Sequence, residues 1–348
     1  MNDYASATVS DADARDLLES MVAIPSPTGE ERAAAEYLRD FFRDHGREAW
    51  LDDVGNVRAP ADDSVLLTSH VDTVPGDIPV RVETEGDEDV LWGRGSVDAT
   101  GPLCAMAVAA VNAGVSFVGV VGEETDSRGA RHLVDDREAP DAVVNGEPSG
   151  WDAVTLGYRG FLAGTYRVET DSAHTSRPEP NAIQQAMAWW HRVESAFDAD
   201  ATFESVTAKP VDVEGGTATD GLSVEATIDA QFRIPPGTDA AEVRETVEGE
   251  LDGGTVDWRD PIPPVTVSPR SEVGRAFRVA IRRRGGDPRL LRKTGTSDMN
   301  LFAAAWDCPM ATYGPGDSAL DHAPDERLAL SEFDRAVAVL EIVSDELQ

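Results

Sequence analysis

The chain has 348 residues, long enough for two domains and a sizeable core, and 41% of them are hydrophobic. Its formal net charge is -35, from 65 acidic against 30 basic residues, and Lys209 and Lys293 are its only lysines. Such a surface argues against nucleic acid and anionic membranes as partners. With apolar periodicity throughout, it argues for a folded protein adapted to molar salt, where screening removes the self-repulsion, and against disorder.

Ser10 is placed to cap a first helix that carries Leu17, Leu18, Met21 and Val22. IPSPTG breaks that helix, and Thr28 with Glu31 forms a capping-box signature for a second, with Tyr37, Leu38, Phe41 and Phe42 as its apolar face and Gly46 as its end. VLLTSH (65–70), VSFVGVVGEE (115–124) and DAVVNGE (141–147) read as short buried strands that stop at a carboxylate or imidazole. Strands and helices alternate to about residue 156, the pattern of an α/β domain with a mainly parallel sheet. The acidic stretch EGDEDV (85–90) reads as a solvated turn.

The next block differs. YRGFLAGTYRVET (158–170) and GLSVEATIDAQFRIPPG (221–237) read as long strands, and NAIQQAMAWWHRVESAF (181–197) and AAEVRETVEGEL (240–251) as helices. These make a separate α+β domain over 157–267, inserted into a domain formed by 1–156 and 268–348. Alternation returns after the insert, and Ser331 caps a last helix with Phe333, Val337 and Leu340 on one face. Cys104 and Cys308 have no metal-type or redox-type partner nearby in sequence and read as buried small hydrophobes of a reducing cytoplasm. The N-terminal residues 1–16 lack a basic region and an apolar core, and no later segment approaches a membrane span, so the expected location is cytoplasmic.

The strand ends gather chemistry. His70 and Asp72, Asp98, Glu123 and Glu124, Glu147 and, near the C-terminus, His322 all follow apolar runs. In open α/β sheets the ligand crevice lies at the carboxyl ends of the strands. Oxygen-rich clusters with two histidines suit a pair of zinc ions.

The segments SHVDTVPG (69–76), GRGSVDATGPL (93–103), GEETDSRGA (122–130), NGEPSG (145–150), DSAHTSRP (171–178), GTSDMN (295–300) and DHAPDE (321–326) resemble the successive blocks of the M20 co-catalytic zinc amidohydrolases. They run in order over almost the whole chain. Within that family, IPSPTGEE, GEPSGWDAVTLGYRG and KTGTSDMN are most similar to the hydrolases, here of a haloarchaeal type, that release lysine or ornithine from an amino-group carrier protein. The resemblance implies a zinc-peptidase-like α/β catalytic domain with an inserted ferredoxin-like α+β domain that serves as lid and dimerisation surface.

It also implies two divalent metal ions per chain, Zn2+ or Co2+. Asp98 would bridge them, His70 and Glu147 would complete one site, and Glu124 and His322 the other. Asp72 would hydrogen-bond the free ring nitrogen of His70. Glu123, pointing away from its neighbour along an extended strand, would be the general base; the bland alternative is an exposed neighbour of Glu124. His174 would reach the active site of the partner subunit and hydrogen-bond the tetrahedral oxyanion, although a lone histidine after a strand also reads as a surface residue. Arg233 would clamp a substrate carboxylate, helped by backbone N–H groups and hydroxyls of Gly295, Thr296 and Ser297. Arg159 in LGYRG is an auxiliary that no mechanism demands. His45, His132 and His191, and the Trp189–Trp190 pair with Met187, read as surface or packing residues.

The implied reaction is release of ornithine or lysine from the γ-carboxyl of the C-terminal glutamate of an acidic carrier protein by a homodimer, with salt screening both partners. Acetylornithine deacetylase and succinyl-diaminopimelate desuccinylase would share every metal residue, and an aminopeptidase or carboxypeptidase is a cruder rival. A catalytically inactive metal-binding member of the fold is the non-enzyme alternative, and the presence of a base at Glu123 argues against it.

Overall fold

The computed structural model describes residues 8–197, 201 and 203–348. Residues 1–7, part of the stretch read as free of a leader, lie outside the described residues. The chain divides into two compact units. One holds residues up to Leu156 with Val267–Leu291 and Ser297–Gln348; the other holds Gly157–Thr266 with Arg292–Thr296.

In the first unit the strand Asp62–His70 lies between Val115–Val120 and Val143–Gly146, parallel to both, and Met310–Tyr313 runs parallel beside Val143–Gly146. The register pairs His70 with Val120 and Ser69 with Gly146, so the carboxyl ends of these strands are level. Every residue of Val115–Val120 and of Val143–Gly146 is buried. Strands covered on both faces leave continuous apolar runs in the sequence and not an alternation. Antiparallel strands Val57–Ala59 and Trp50–Leu51 flank this group on one side, and Ala153–Tyr158 flanks it on the other.

The helix Thr100–Ala113 is buried almost all round and is rich in alanine, which lets it sit close to its neighbours Asp11–Val22 and Leu330–Leu347. Gly114, at φ 71, ends it in the left-handed conformation that glycine supplies at low cost. Ser10 caps the first helix by accepting the Asp13 N–H, and Leu17, Leu18, Met21 and Val22 are buried.

Several expected local features are replaced by longer-range ones. Thr28 and Glu31 form no capping box. The Thr28 hydroxyl donates to Asp72 at 2.7 Å, and the Glu31 carboxylate takes Arg128 at 2.6 Å. On the second helix, Arg32–Asp44, Leu38 and Phe42 are buried but Tyr37 is 41% exposed. The last helix begins at Leu330, and Ser331 lies inside its first turn, donating to Glu88 at 2.5 Å instead of capping. Glu88 belongs to a hairpin, Arg81–Glu85 paired with Glu88–Trp92, whose tip is the acidic turn. Cys104 is buried, whereas Cys308 is partly exposed in the loop ahead of Met310–Tyr313.

The second unit is a four-stranded antiparallel sheet in the order Thr207–Thr217, Ser223–Ile234, Gly160–Asp171, Thr255–Trp258. The chain order strand, helix, strand, strand, helix, strand is ferredoxin-like. Its helices, Ala182–Ala196 and Ala240–Gly249, each start with a capping box, Asn181 with Gln184 and Asp239 with Glu242. Buried Trp189 stacks on Tyr166 at 4.1 Å between ring centroids, whereas Met187 is 64% exposed. Among the described residues no helix is long and apolar enough to cross a membrane.

Candidate metal centre

Five segments that leave the parallel strands or pack at their ends bring the acids and histidines together. His70 Nε2 stands 3.3 Å from Asp98 Oδ1 and 4.0 Å from Glu147 Oε1, and His322 Nε2 stands 3.2 Å from Asp98 Oδ2 and 3.0 Å from Glu124 Oε2. The result is two donor sets, His70 with Asp98 and Glu147, and Asp98 with Glu124 and His322, each with ligand atoms within 4.8 Å of one another. Asp98 is common to both and turns one oxygen to each histidine. One imidazole with two carboxylates per set is a donor chemistry that zinc and cobalt accept, so the residues fit a pair of such ions.

The surroundings hold this geometry in ways the sequence did not show. The expected bond between the Asp72 carboxylate and the His70 ring is absent: Nδ1 lies 2.8 Å from the Asp72 backbone carbonyl and 3.7 Å from its Oδ1. The carboxylate is instead taken up by a turn. Oδ1 accepts the N–H groups of Gly122 and Glu123 at 2.9 and 3.1 Å, and Oδ2 accepts that of Glu124 at 3.1 Å with the Thr28 hydroxyl. A fully buried carboxylate needs several donors, and three backbone amides plus a hydroxyl satisfy it better than one ring nitrogen. Glu123 and Glu124 thus lie on a turn after Val120, not on an extended strand, and the turn separates their directions.

Two further acids enter that sequence reasoning passed over, although both lie inside segments already singled out. Glu326 is fully buried and accepts the backbone N–H groups of Val97 and Asp98. Asp298, buried at the start of the helix Asp298–Ala305, is hydrogen-bonded to Ser127. Among the described residues, Ser127 and His322 are the non-glycine residues with positive φ, at 52° and 59°. Left-handed backbone of this kind costs about 1–2 kcal/mol for an L-residue and is found where the surroundings over-determine it.

The protein groups perturb one another strongly. Burial alone would lower the pKa of His70, but the Asp72 carboxylate 3.7 Å away, the hydrogen bond to Asp98 and the nearby Glu123 and Glu147 charges raise it well above the usual histidine range. His322 is pushed up to about 9, chiefly by its hydrogen bond to Asp98. Burial would raise Asp98, yet the hydrogen bonds from His322 and His70 hold it well below the usual carboxylate range. Glu123 retains some exposed surface, but desolvation and the Glu147 charge carry its carboxyl well above the ordinary value. Desolvation carries Glu124 up to about 7 and Asp298 to about 6.

The remaining named residues belong to the second unit, Ser297 excepted. His174 is exposed, in the segment between Gly160–Asp171 and Ala182–Ala196, with Nδ1 2.8 Å from the Ser176 hydroxyl. Arg233 sits in register between Phe161 and Thr207. Its guanidinium lies 4.8 Å from the Phe161 ring centroid and donates to the Thr296 hydroxyl at 3.4 Å. Desolvation lowers its pKa. Arg159 is buried and does more than the sequence suggested. Its Nη2 donates to the carbonyls of Ser205 and Arg233, both at 2.7 Å, and to the Thr207 hydroxyl at 2.6 Å. Gly295 and Thr296 fall in this unit, while Ser297 falls in the first. The Ser297 N–H is already given to Asn300 Oδ1 at 3.0 Å, which corrects the expectation that it is offered to a ligand.

This chain is similar in sequence or fold to known proteins. A LysW-lysine hydrolase of Deinococcus radiodurans is 43% identical over 94% of this chain and 95% of its own. A LysW-lysine/LysW-ornithine hydrolase of Sulfurisphaera tokodaii is 29% identical over 92% of this chain and 91% of its own. The aminopeptidase PepT of Bacillus cereus superposes with a TM-score of 0.80 over 98% of this chain and 99% of its own at 20% identity, a likeness of fold. Residues 66–345 match peptidase family M20/M25/M40, and with a relative of this similarity over nearly the full length the chain belongs to that family of metal-dependent amide hydrolases.

Proposed function

We propose that the protein releases lysine, ornithine or both from the γ-carboxyl of the C-terminal glutamate of an acidic amino-group carrier protein, a late cytoplasmic step in lysine or arginine biosynthesis. The observation that carries the chemistry is the Asp98 carboxylate shared between two imidazole and carboxylate sets. The substrate reading is supported by the names of relatives that align over more than nine-tenths of the chain.

In this reading His70, Asp98 and Glu147 hold one divalent ion, and Asp98, Glu124 and His322 hold a second, zinc or cobalt. When bound, such ions polarise an amide carbonyl and lower the pKa of water beside it. Glu123 takes the proton from the attacking water on a carboxylate oxygen as the water oxygen bonds to the carbonyl carbon. As the C–N bond breaks, Glu123 returns that proton to the leaving α-amine. Asp72 and Thr28 keep the Glu123–Glu124 turn in place. Arg233, with Gly295 and Thr296 of the same unit, orients the free carboxylate of the departing amino acid. His174 acts as hydrogen-bond donor to the oxyanion in the partner subunit of a homodimer. The strand Thr207–Thr217 pairs with Ser223–Ile234 on one side and is the sheet edge on the other, with Val211 and Val213 exposed, and that open edge supports a homodimer in which a second copy covers it.

The test is product analysis with kcat/KM at high salt for lysine and ornithine linked through the α-amine to the carrier's terminal γ-carboxyl, against N-acetylornithine and N-succinyl-diaminopimelate. The carrier conjugates should be the better substrates. Faster turnover of the free acetyl or succinyl compounds would transfer the assignment to a deacetylase or desuccinylase.

A further inference from the structure

Glu326 lies four residues beyond His322 and is 0% exposed. Both its oxygens are engaged. Oε1 accepts the backbone N–H groups of Val97 and Asp98 at 2.8 and 3.0 Å, and Oε2 accepts Arg94 Nη1 at 2.8 Å. Arg94 Nη1 also donates to the Ala323 carbonyl at 3.2 Å, next to His322. The backbone adds one more tie, Gly93 N–H to the Glu326 carbonyl at 3.4 Å. The loop that carries His322 and the loop that carries Asp98 are therefore joined by one buried carboxylate and one arginine, although more than 220 positions apart.

We infer that Glu326, with Arg94 as its counter-ion, is a positioning residue that sets the Asp98 carboxylate against His322 and so fixes the spacing of the two metal sets. The inference rests on the metal reading given above. A buried carboxylate that accepts two adjacent amides fixes the direction of that peptide segment, and the Asp98 N–H is one of the two. His322 supplies the complementary constraint, because its left-handed backbone leaves it little freedom to follow a displaced Asp98. Groups that orient metal ligands typically govern affinity by 10- to 100-fold without touching the ion. Changing Glu326 to glutamine keeps one acceptor oxygen, but it turns a donor NH2 either on Arg94 or on the two amides.

The test is titration of wild type, Glu326→Gln, Glu326→Asp and a control, Glu332→Gln, with Co2+ alone, followed by calorimetry and visible absorption. Glu332 is a fair control because it too accepts two backbone N–H groups, those of Trp151 and Gly316, but belongs to neither metal set. Wild type and Glu332→Gln should take up Co2+ with the same affinity and spectrum. Glu326→Gln, with unchanged far-ultraviolet circular dichroism, should bind at least about tenfold more weakly and show a shifted cobalt spectrum. Glu326→Gln with wild-type affinity and spectrum would overturn the inference while leaving the metal reading intact. If Glu326→Gln does not fold, Glu326→Asp decides. Its shorter carboxylate keeps the Arg94 charge pair but cannot reach both amides, and weaker uptake supports the inference while wild-type uptake overturns it. Absence of Co2+ uptake by wild type itself would overturn the metal reading, and this inference with it.

Discussion

The two units carry their chemistry-bearing residues in opposite ways. In the first, His70, Asp98, Glu124 and Glu147 are held at the ends of buried parallel strands or on turns pinned by buried carboxylates, with side chains at most 12% exposed, and His322 is the half-exposed member at 52%. In the second, His174 stands exposed with a hydrogen bond to nearby Ser176, and Arg233 leans on Phe161. A centre built on strand ends is geometrically complete in one chain, so its members can be tested one at a time. His174 and Arg233 have functions only if something outside their own unit meets them, so their tests must supply it.

The largest expected effect is at the base. Glu123→Ala should lower kcat by roughly 10²- to 10⁴-fold, the range a general base contributes, while keeping its metal. Wild-type turnover in that variant would remove the base and leave the first unit with a binding site only. Second comes the partner-dependent residue. His174→Ala and Glu123→Ala chains should each be inactive, and mixing them should restore part of the activity, since a mixed dimer holds one site with both groups intact. No recovery after demonstrated subunit exchange would mean that His174 works in its own chain or has no role, and the contrast between the units would blur.

Arg233→Ala should cost about 2–3 kcal/mol in kcat/KM, mainly through KM, if the guanidinium makes a buried charge-assisted contact with the substrate carboxylate. An unchanged KM would show that it only packs on Phe161. The smallest effect concerns pH. With chelator present, His322 has a raised pKa of about 9 against an ordinary 6.5 because of its bond to Asp98. Its contribution to stability is then fully present below about pH 6.5 and is lost as pH rises through about 9. The melting temperature of chelated protein should fall over that window, and that of zinc-loaded protein should not follow it, because metal binding requires the neutral imidazole. Parallel curves for the two forms would contradict the assignment of His322.

Much of the first unit is legible in its sequence for a physical reason. Val115–Val120 and Val143–Gly146 are buried on both faces, so nothing interrupts their apolar runs and the acids that follow stand out. What the sequence hides is the long-range satisfaction of polar groups. Thr28 and Glu31 have the spacing of a local cap, and only the fold shows that their partners are Asp72 and Arg128, 44 and 97 positions away. Asp72, Asp298 and Glu326 are individually visible, but what they accept is set by chain segments brought in by the sheet. In the second unit the strands Thr207–Thr217 and Thr255–Trp258 escaped because neither holds a buried residue, so neither leaves an apolar run like that of Val143–Gly146, which is as short as Thr255–Trp258. The capping boxes at Asn181 and Asp239 show that the same local motif is reliable where no distant donor competes for it.

Metal content measured beside activity goes most directly to the claim that one shared carboxylate organises the first unit. Wild type and Glu123→Ala should each carry close to two divalent ions per chain by elemental analysis, whereas Asp98→Ala should lose metal and activity together. Full metal content in Asp98→Ala would contradict the shared-carboxylate account.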